Sequence, residues 1–330
     1  MLFSTKPFYF NLKPNKRVTA GTAYFCGGMD TYPTYRSATR KYAISTDAVT
    51  AGPSIITGGS GYTSGKMSGT AFANGTTGLL SQGQTPTGTD NVAAQLTGRS
   101  IKITINTDAT AAATALAVGW RFAQGTTDGV RGIRMGGYYS TNSGASTQNI
   151  ISKYLWSSDV WTVNAATVAN PITNGGIHGN AEFAYRASGF NEQSVSANIL
   201  YTNKWIWSSD TLRSISSVLD EQMGQACCTG NQEKVVIMGG INSAGTALNR
   251  VKSIIMLTDS RTNRTNLSAN AVGVADAAGA DDFGIFSFDR ATSGSTRKYD
   301  YSADTYITST NLIASLNIQG IMAFHSAQIS

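Results

Sequence analysis

The sequence predicts an all-β protein built from six copies of one unit that close head to tail. Three observations predict it. A strand-like segment ending in aspartate recurs six times, a short apolar run ending in glycine recurs ahead of it, and a glycine-opened segment of small residues recurs ahead of that. The composition agrees. Over 330 residues, charged residues make up only 13%, glycine numbers 35, proline 6, and hydrophobic content is 41%. That is enough apolar material for a core, with the glycine load of a turn-rich β protein.

The aspartate-ended segments are "KYAISTDAV" at Asp47, "IKITINTDAT" at Asp108, "KYLWSSDVW" at Asp159, "NKWIWSSDTL" at Asp210, "SIIMLTDSR" at Asp259 and "KYDYSADTY" at Asp304. Their spacings are 61, 51, 51, 49 and 45 residues. Five places before each aspartate stand Tyr42, Ile103, Tyr154, Trp205, Ile254 and Tyr299. Three places before stand Ile44, Ile105, Trp156, Trp207, Met256 and Tyr301. This two-residue alternation is that of a strand burying one face. The polar pair that closes each segment reads as a strand end, with Asp capping the following turn by accepting backbone hydrogen bonds.

The units follow in order. The first has the apolar run "AYFCGG" and the Asp47 strand but no small-residue opener. The second has "GTAFAN" at Gly69, "GLLSQG" and Asp108. The third has "GWRFAQ" at Gly119, "GIRMGG" and Asp159. The fourth has "GNAEFA" at Gly179, "AYRASG" and Asp210. The fifth has "GQACCT" at Gly224, "VVIMGG" and Asp259. The sixth has "GVADAA" at Gly273, "GIFSFD" without its glycines, and Asp304. A surplus opener, "GIMAFH" at Gly320, stands near the C-terminus. It supplies the strand the first unit lacks, which is how a circular repeat closes. Six units of about 50 residues closed in this way predict a six-bladed β-propeller over residues 21–330, its C-terminal strand completing the first blade. Glycines at the run ends permit positive φ where a strand leaves the packed centre. The only helical expectation is a short turn near Ser217–Gln222.

Runs of this type, with Gly27–Gly28, Gly136–Gly137 and Gly239–Gly240 as double glycines, resemble kelch and kelch-like repeats. The Thr/Ser/Gly/Asn-rich, low-charge version resembles the kelch-like propellers of tailed-bacteriophage virion proteins. The double glycine is single in the second and fourth units and absent in the sixth. The resemblance implies a non-enzymatic structural or binding protein of a virion, in the tail, a fibre or the head surface. It implies other virion proteins as partners within a multi-subunit assembly, and host surface glycan as a further contact. Residues 1–20, with the alternating "FYFNL", form an N-terminal arm that reads as an edge strand or as a docking arm adding a strand to a partner. Contact candidates are the loop residues Tyr32, Tyr35, Arg36, Tyr138, Tyr139, Phe190, Arg261 and Arg264.

The alternative is a carbohydrate-active propeller enzyme of glycosidase or sialidase type. Sialidases also repeat Ser-x-Asp boxes, but a glycine does not follow Asp159 or Asp210, and the four glutamates, Glu182, Glu192, Glu221 and Glu233, stand in no recognisable setting. No catalytic residue, metal or cofactor is assigned. Two histidines, His178 and His325, disfavour a His-based metal site. Cys26 and the Cys227–Cys228 pair match neither a zinc site nor a disulfide framework and read as small buried residues. Asp281–Asp282 reads as a solvated carboxylate pair. "GGSGYTSGK" lacks the residue order of a phosphate loop, since Met67 follows Lys66. The net charge of +6 is scattered rather than striped, which argues against nucleic acid. No run reaches the length of a membrane span and the N-terminus does not read as a signal peptide, so the chain is expected to be made in a host cytoplasm and carried in the virion.

Overall fold

The computed structural model describes residues 21–27, 38–55, 69–81, 100–116, 123–141, 144–147, 149–168, 173, 175–187, 189, 202–215, 219–221, 223–267, 277–279, 282–287, 296–308 and 322–325. The N-terminal arm, the glycine-rich stretch at Gly58–Lys66 and Asp281 lie outside them.

Among the described residues, twenty-six strands form six four-stranded antiparallel sheets and one added hairpin. Blade 1 is β26 (Met322–His325), β1 (Thr22–Cys26), β2 (Thr39–Ala43) and β3 (Ala48–Ala51), ordered from the centre outward. Blade 2 runs β4 (Thr70–Ala73), β5 (Thr77–Ser81), β6 (Ser100–Thr104), β7 (Ala109–Ala113). Blade 3 runs β8 (Gln124–Thr127), β9 (Arg131–Met135), β12 (Ile150–Leu155), β13 (Val160–Thr167), and carries the hairpin β10 (Tyr138–Thr141)–β11 (Gly144–Thr147) between its second and third strands. Blade 4 is β14 (Gly176–Gly179), β15 (Phe183–Ala187), β16 (Thr202–Ile206), β17 (Thr211–Ile215). Blade 5 is β18 (Cys227–Gly230), β19 (Lys234–Met238), β20 (Val251–Ile255), β21 (Ser260–Asn263). Blade 6 is β22 (Ala277–Gly279), β23 (Phe283–Ser287), β24 (Thr296–Asp300), β25 (Thr305–Thr308). The innermost strands neighbour one another around the ring, β4 beside β8, β14, β18, β22, β26 and β4 again. The fold is a closed six-bladed β-propeller. β26 pairs with β1 in antiparallel register, Tyr24 opposite Phe324, so the C-terminal strand completes the first blade. No helix occurs among the described residues, and Ser217, Val218 and Gln222 of the expected short helical turn lie outside them.

The alternation read from the sequence is what buries. All six residues five places before the aspartates, Tyr42, Ile103, Tyr154, Trp205, Ile254 and Tyr299, are fully buried. The core lies between blades. Ile133 and Met135 of blade 3 pack with Ala184, Trp205 and Trp207 of blade 4, and Tyr185 and Ala187 of blade 4 pack with Ile237 and Ile254 of blade 5. Burying both faces of each sheet is the main stabilising term, at roughly 25 cal/mol per Å² of apolar surface. Close approach near the axis needs glycine. A Cβ on Gly132 would stand 2.1 Å from the Phe72 ring of blade 2, and one on Gly176 would stand 1.9 Å from Cβ of Cys228. The three cysteines are buried and unbridged, and burial pushes the Cys26 thiol up to about 12.

Two openers differ from the sequence expectation. In blade 3 the innermost strand is Gln124–Thr127, not a segment opening at Gly119. In blade 4 it ends at Gly179 instead of starting there. The reason is the turn that follows. Asn180 Oδ1 accepts from the backbone N–H groups of Glu182 (2.9 Å) and Phe183 (2.7 Å), so residues 180–182 are the first hairpin turn. Asn74, Asp128 and Asn231 cap the same turn in blades 2, 3 and 5.

Candidate functional site

The antiparallel order sorts connections onto two faces. The first-to-second and third-to-fourth hairpin turns lie on one face, and the second-to-third loops and the blade-to-blade connections lie on the other. The six repeated aspartates sit on the turn face, in the third-to-fourth hairpin of each blade.

Their first role is conformational. Asp47, Asp108, Asp159, Asp210, Asp259 and Asp304 all have φ between 53° and 58°. In this left-handed region a Cβ is normally unfavourable, and Asp and Asn are the side chains that tolerate it best. The turn closes through an N–H at the aspartate, as in Asp259 to the Ile255 carbonyl at 2.9 Å and Asp108 to that of Thr104 at 2.8 Å. The carboxylates do not mainly serve the turn backbone, which corrects the capping role expected from the sequence. They reach across the blade junction.

Each carboxylate takes a lysine from the preceding blade. Lys41 pairs with Asp108 at 2.5 Å, Lys102 with Asp159 at 2.9 Å, Lys153 with Asp210 at 2.5 Å, Lys204 with Asp259 at 2.8 Å, Lys234 with Asp304 at 2.8 Å, and Lys298 with Asp47 at 2.9 Å. The last pair ties blade 6 back to blade 1, so the ion pairs close with the ring. Several of these donors also reach the carbonyl three residues before the aspartate: Lys204 to Met256, Lys234 to Tyr301 and Lys298 to Ile44, at 2.7 to 2.8 Å. Five of the lysines stand six places before their own blade's aspartate. In blade 5 that position is Ser253, and Lys234 on the neighbouring strand β19 takes over.

A second donor completes every carboxylate. It is the same blade's tyrosine at Asp47 (Tyr42), Asp159 (Tyr154) and Asp304 (Tyr299). Where that position is Ile103 or Ile254, a tyrosine of the preceding blade substitutes, Tyr24 for Asp108 and Tyr185 for Asp259. Asp210 receives Arg131 at 3.3 Å. At Asp47 burial pulls the carboxyl upward, but the Tyr42 hydroxyl and Lys298 outweigh it and hold the group below its ordinary value. Asp159 is lowered in the same way by Tyr154, Lys102 and the Thr114 N–H. Each of the six carboxylates thus holds a lysine and a second donor, and acts as a structural tie between blades.

The junction between blades 4 and 5 adds neutral polar links near the axis. His178 Nε2 lies 3.1 Å from the Asn231 carbonyl, and Asn180 Nδ2 donates to that of Gln232 at 2.7 Å. Burial pushes the His178 imidazole down to about 4, so it stays neutral at physiological pH. Among the described residues no group of three His, Cys, Asp or Glu could hold a metal ion.

One further arginine is unusual. Arg186 of β15 is 1% exposed, and its Nε and both terminal nitrogens have no hydrogen-bond partner among the described residues. It stands where the other second strands carry Phe25, Leu80, Arg134, Ile237 and Phe286, on the face of blade 4 turned toward blade 3.

On the loop face, blade 5 holds a cleft of about 430 Å³. Asp220 and Glu221, from the connection between blades 4 and 5, form one wall. Arg250 just before β20 and Lys252 within it form the floor, and Asn263 at the end of β21 with Arg264 and Asn266 just beyond it form the other wall. Lys252, 2% exposed, pairs with Asp220 and with Glu221 (2.9 Å). Arg250 pairs with Glu221 at 3.0 Å, and Arg261 with Asp220 at 3.0 Å. The Lys252 ammonium, with Arg261, holds the Asp220 carboxyl below its ordinary value.

Of the contact candidates, Tyr32, Tyr35, Arg36 and Phe190 lie outside the described residues. Tyr138 and Tyr139 are in β10, with Tyr138 buried. Arg261 and Arg264 come together at blade 5. Arg264 lines the cleft and pairs with Asp304 at 3.0 Å, while Arg261 backs its acidic wall. Sequence reasoning did not find the cleft itself. Asp220, Glu221, Arg250 and Asn263 are distant along the chain and belong to no repeat position.

No protein-family model and no curated protein matches the chain. Among solved structures, "Structure of YjhT" is similar with a TM-score of 0.55 at 12% identity, covering 67% of this chain and 72% of that one. At that identity the likeness shows the shared propeller fold alone.

Proposed function

We propose that this chain is a non-enzymatic structural and binding part of a bacteriophage virion, a propeller of the tail, a fibre or the head surface. The observation that carries the non-enzymatic reading is the use of the repeated acids. The six carboxylates that define the repeat each take a lysine and a second donor, which makes a rigid disc that presents its loops. The Thr/Ser/Gly/Asn-rich, weakly charged composition and its resemblance to kelch-like virion propellers support the setting. In this reading the N-terminal arm anchors the disc to neighbouring virion proteins, and the loop face makes the outward contact.

Immunogold electron microscopy of purified particles, with an antibody against the recombinant chain, tests it. Gold at the tail, fibre or head surface is the expected result. Unlabelled particles, with denatured chain reacting as control, would remove the virion reading and return the carbohydrate-active enzyme to first place.

A further inference from the structure

We propose that the blade 5 cleft binds a neutral saccharide, an inference that rests on reading the chain as a contact protein and gives that contact a place. The first ground is size. At about 430 Å³ the cleft lies within the range of small-molecule sites, roughly 300–1,000 Å³. The second is the character of its lining. Among the described lining residues Val251 is the one apolar side chain, so the groups that can orient a ligand are polar while the side-chain stems offer some apolar surface.

The third ground is how donors and acceptors are arranged. Arg250 spends its Nε on Glu221, and its two terminal nitrogens make no hydrogen bond among the described residues. The side-chain amides of Asn263 and Asn266 are exposed and likewise uncommitted, each offering a donor and an acceptor. Asp220 and Glu221 keep acceptor capacity beyond their ion pairs, since a carboxylate has about four lone-pair sites. Both are fixed by the buried Lys252, so this wall is preorganised. The Tyr306 hydroxyl of blade 6 donates to the Asn266 carbonyl at 3.1 Å and steadies the opposite wall.

The charge balance selects the ligand. The lining carries Arg250, Lys252 and Arg264 against Asp220 and Glu221, a net of about one positive charge at neutral pH. A phosphate or carboxylate ligand would meet the two carboxylates at close range, where like charges repel. A free cation would find both carboxylates already paired. A run of hydroxyls suits the mixture, because each donates to a carboxylate or amide oxygen while accepting from a guanidinium or amide N–H. A polar cleft that displaces water on these terms binds weakly alone and gains through repeated copies.

The test uses the full chain on an array of neutral oligosaccharides of hexoses and N-acetylhexosamines, with hits measured by calorimetry and inorganic phosphate as the anion probe. The expected result is binding of a neutral saccharide that Asn263→Ala/Asn266→Ala weakens at least tenfold at unchanged thermal stability, with phosphate failing to compete. Arg250→Gln is the second variant and should weaken binding similarly, which keeps the test open if the double variant does not fold. Saccharide binding that survives both variants overturns the cleft. So does phosphate binding that Arg250→Gln abolishes, or a wild-type chain that holds no neutral saccharide. The two proposals fail separately. Gold-labelled virions whose purified chain binds no saccharide refute the cleft alone, and a chain that binds saccharide through Asn263 and Asn266 but is missing from particles refutes the virion setting alone.

Discussion

Asp159 has two separable roles, and three substitutions take them apart. It holds a φ of 55°, and its carboxylate pairs with Lys102 at 2.9 Å, receives the Tyr154 hydroxyl, and accepts the Thr114 N–H at 3.3 Å. Asp159→Asn keeps a side chain that tolerates the left-handed region and keeps an oxygen for Tyr154. It loses only the charge, and with partners about a quarter to a third exposed that costs about 1 kcal/mol. Asp159→Gly accepts the backbone angle freely but leaves the Tyr154 hydroxyl without its acceptor, which adds about 1–3 kcal/mol. Asp159→Ala loses the same contacts and also carries about 1–2 kcal/mol of left-handed strain. The expected order of destabilisation is Asn, then Gly, then Ala, with Ala at about 3–6 kcal/mol. Urea unfolding at constant m-value measures it directly. An alanine variant no less stable than the asparagine variant would refute both the strain argument and the Tyr154 tie. An asparagine variant as stable as wild type, at low and high salt alike, would show that the ion pair contributes nothing.

Four other predictions follow from the same geometry. Lys204→Met should cost about 3 kcal/mol and Lys298→Met nearer 1 kcal/mol in the same urea assay. Lys204 and Asp259 are 5% and 17% exposed, burial pushes the Asp259 carboxyl up and the Lys204 ammonium down, and a buried carboxylate that keeps only the Tyr185 hydroxyl and the more distant Arg213 is the expensive case. The Lys298–Asp47 pair is far more open on the Asp47 side. Because Asp47 and Asp159 are held below their ordinary values, the stability they add is complete above about pH 4 and lost as pH falls through their folded values. Asp47→Asn and Asp159→Asn should therefore flatten the acid limb of a stability-against-pH curve, and an unchanged limb would count against the ties. Arg186→Leu should raise stability by about 1–4 kcal/mol, since it replaces a buried cation with no partner among the described residues by the residue type found at Leu80; a loss of stability in thermal unfolding would mean that an acceptor is present at that junction. Gly176→Ala should cost about 1–3 kcal/mol through overpacking against Cys228, and a Cys228→Gly background should rescue part of it.

The parts of this fold that were legible in the sequence are those written in one strand. Tyr154 and Trp156 announce a buried face because period-two alternation is local, and the surplus opener near Gly320 announces ring closure because it has no partner downstream. The inner strands of blades 3 and 4 were misplaced because "GWRFAQ" and "GNAEFA" carry the small-residue pattern while the turn residues Asp128 and Asn180 decide where the strand stops. A reading that weighted Asn or Asp three places ahead of each apolar run would have found them. The lysine ring was present in the text as Lys41, Lys102, Lys153, Lys204 and Lys298, each six before an aspartate. It was unreadable because each lysine serves the next unit's aspartate and not its own. Of the blade 5 cleft the sequence shows only Arg261 and Arg264, since the rest is assembled from one connection and strand ends that the repeat does not constrain.

The exception in blade 5 argues for what the repeat conserves physically. With Ser253 in the lysine position, the junction to blade 6 could have lost its tie. Instead Lys234, on the adjacent strand, reaches the same two acceptors that a third-strand lysine reaches elsewhere, Asp304 and the carbonyl three residues before it. Tyrosine is treated in the same way, since Tyr24 and Tyr185 cross from the preceding blade at the two junctions where the local partner is isoleucine. The side chain moves, but the ammonium and the second donor at the carboxylate remain. What each junction requires is a satisfied, left-handed aspartate facing a cation from the blade before it, and residue position is secondary to that requirement. The same freedom leaves the loop face unconstrained. Lys252, on the face of β20 opposite Ser253, is taken up by Asp220 and Glu221 and forms the floor of the blade 5 cleft, which the ring does not need for closure.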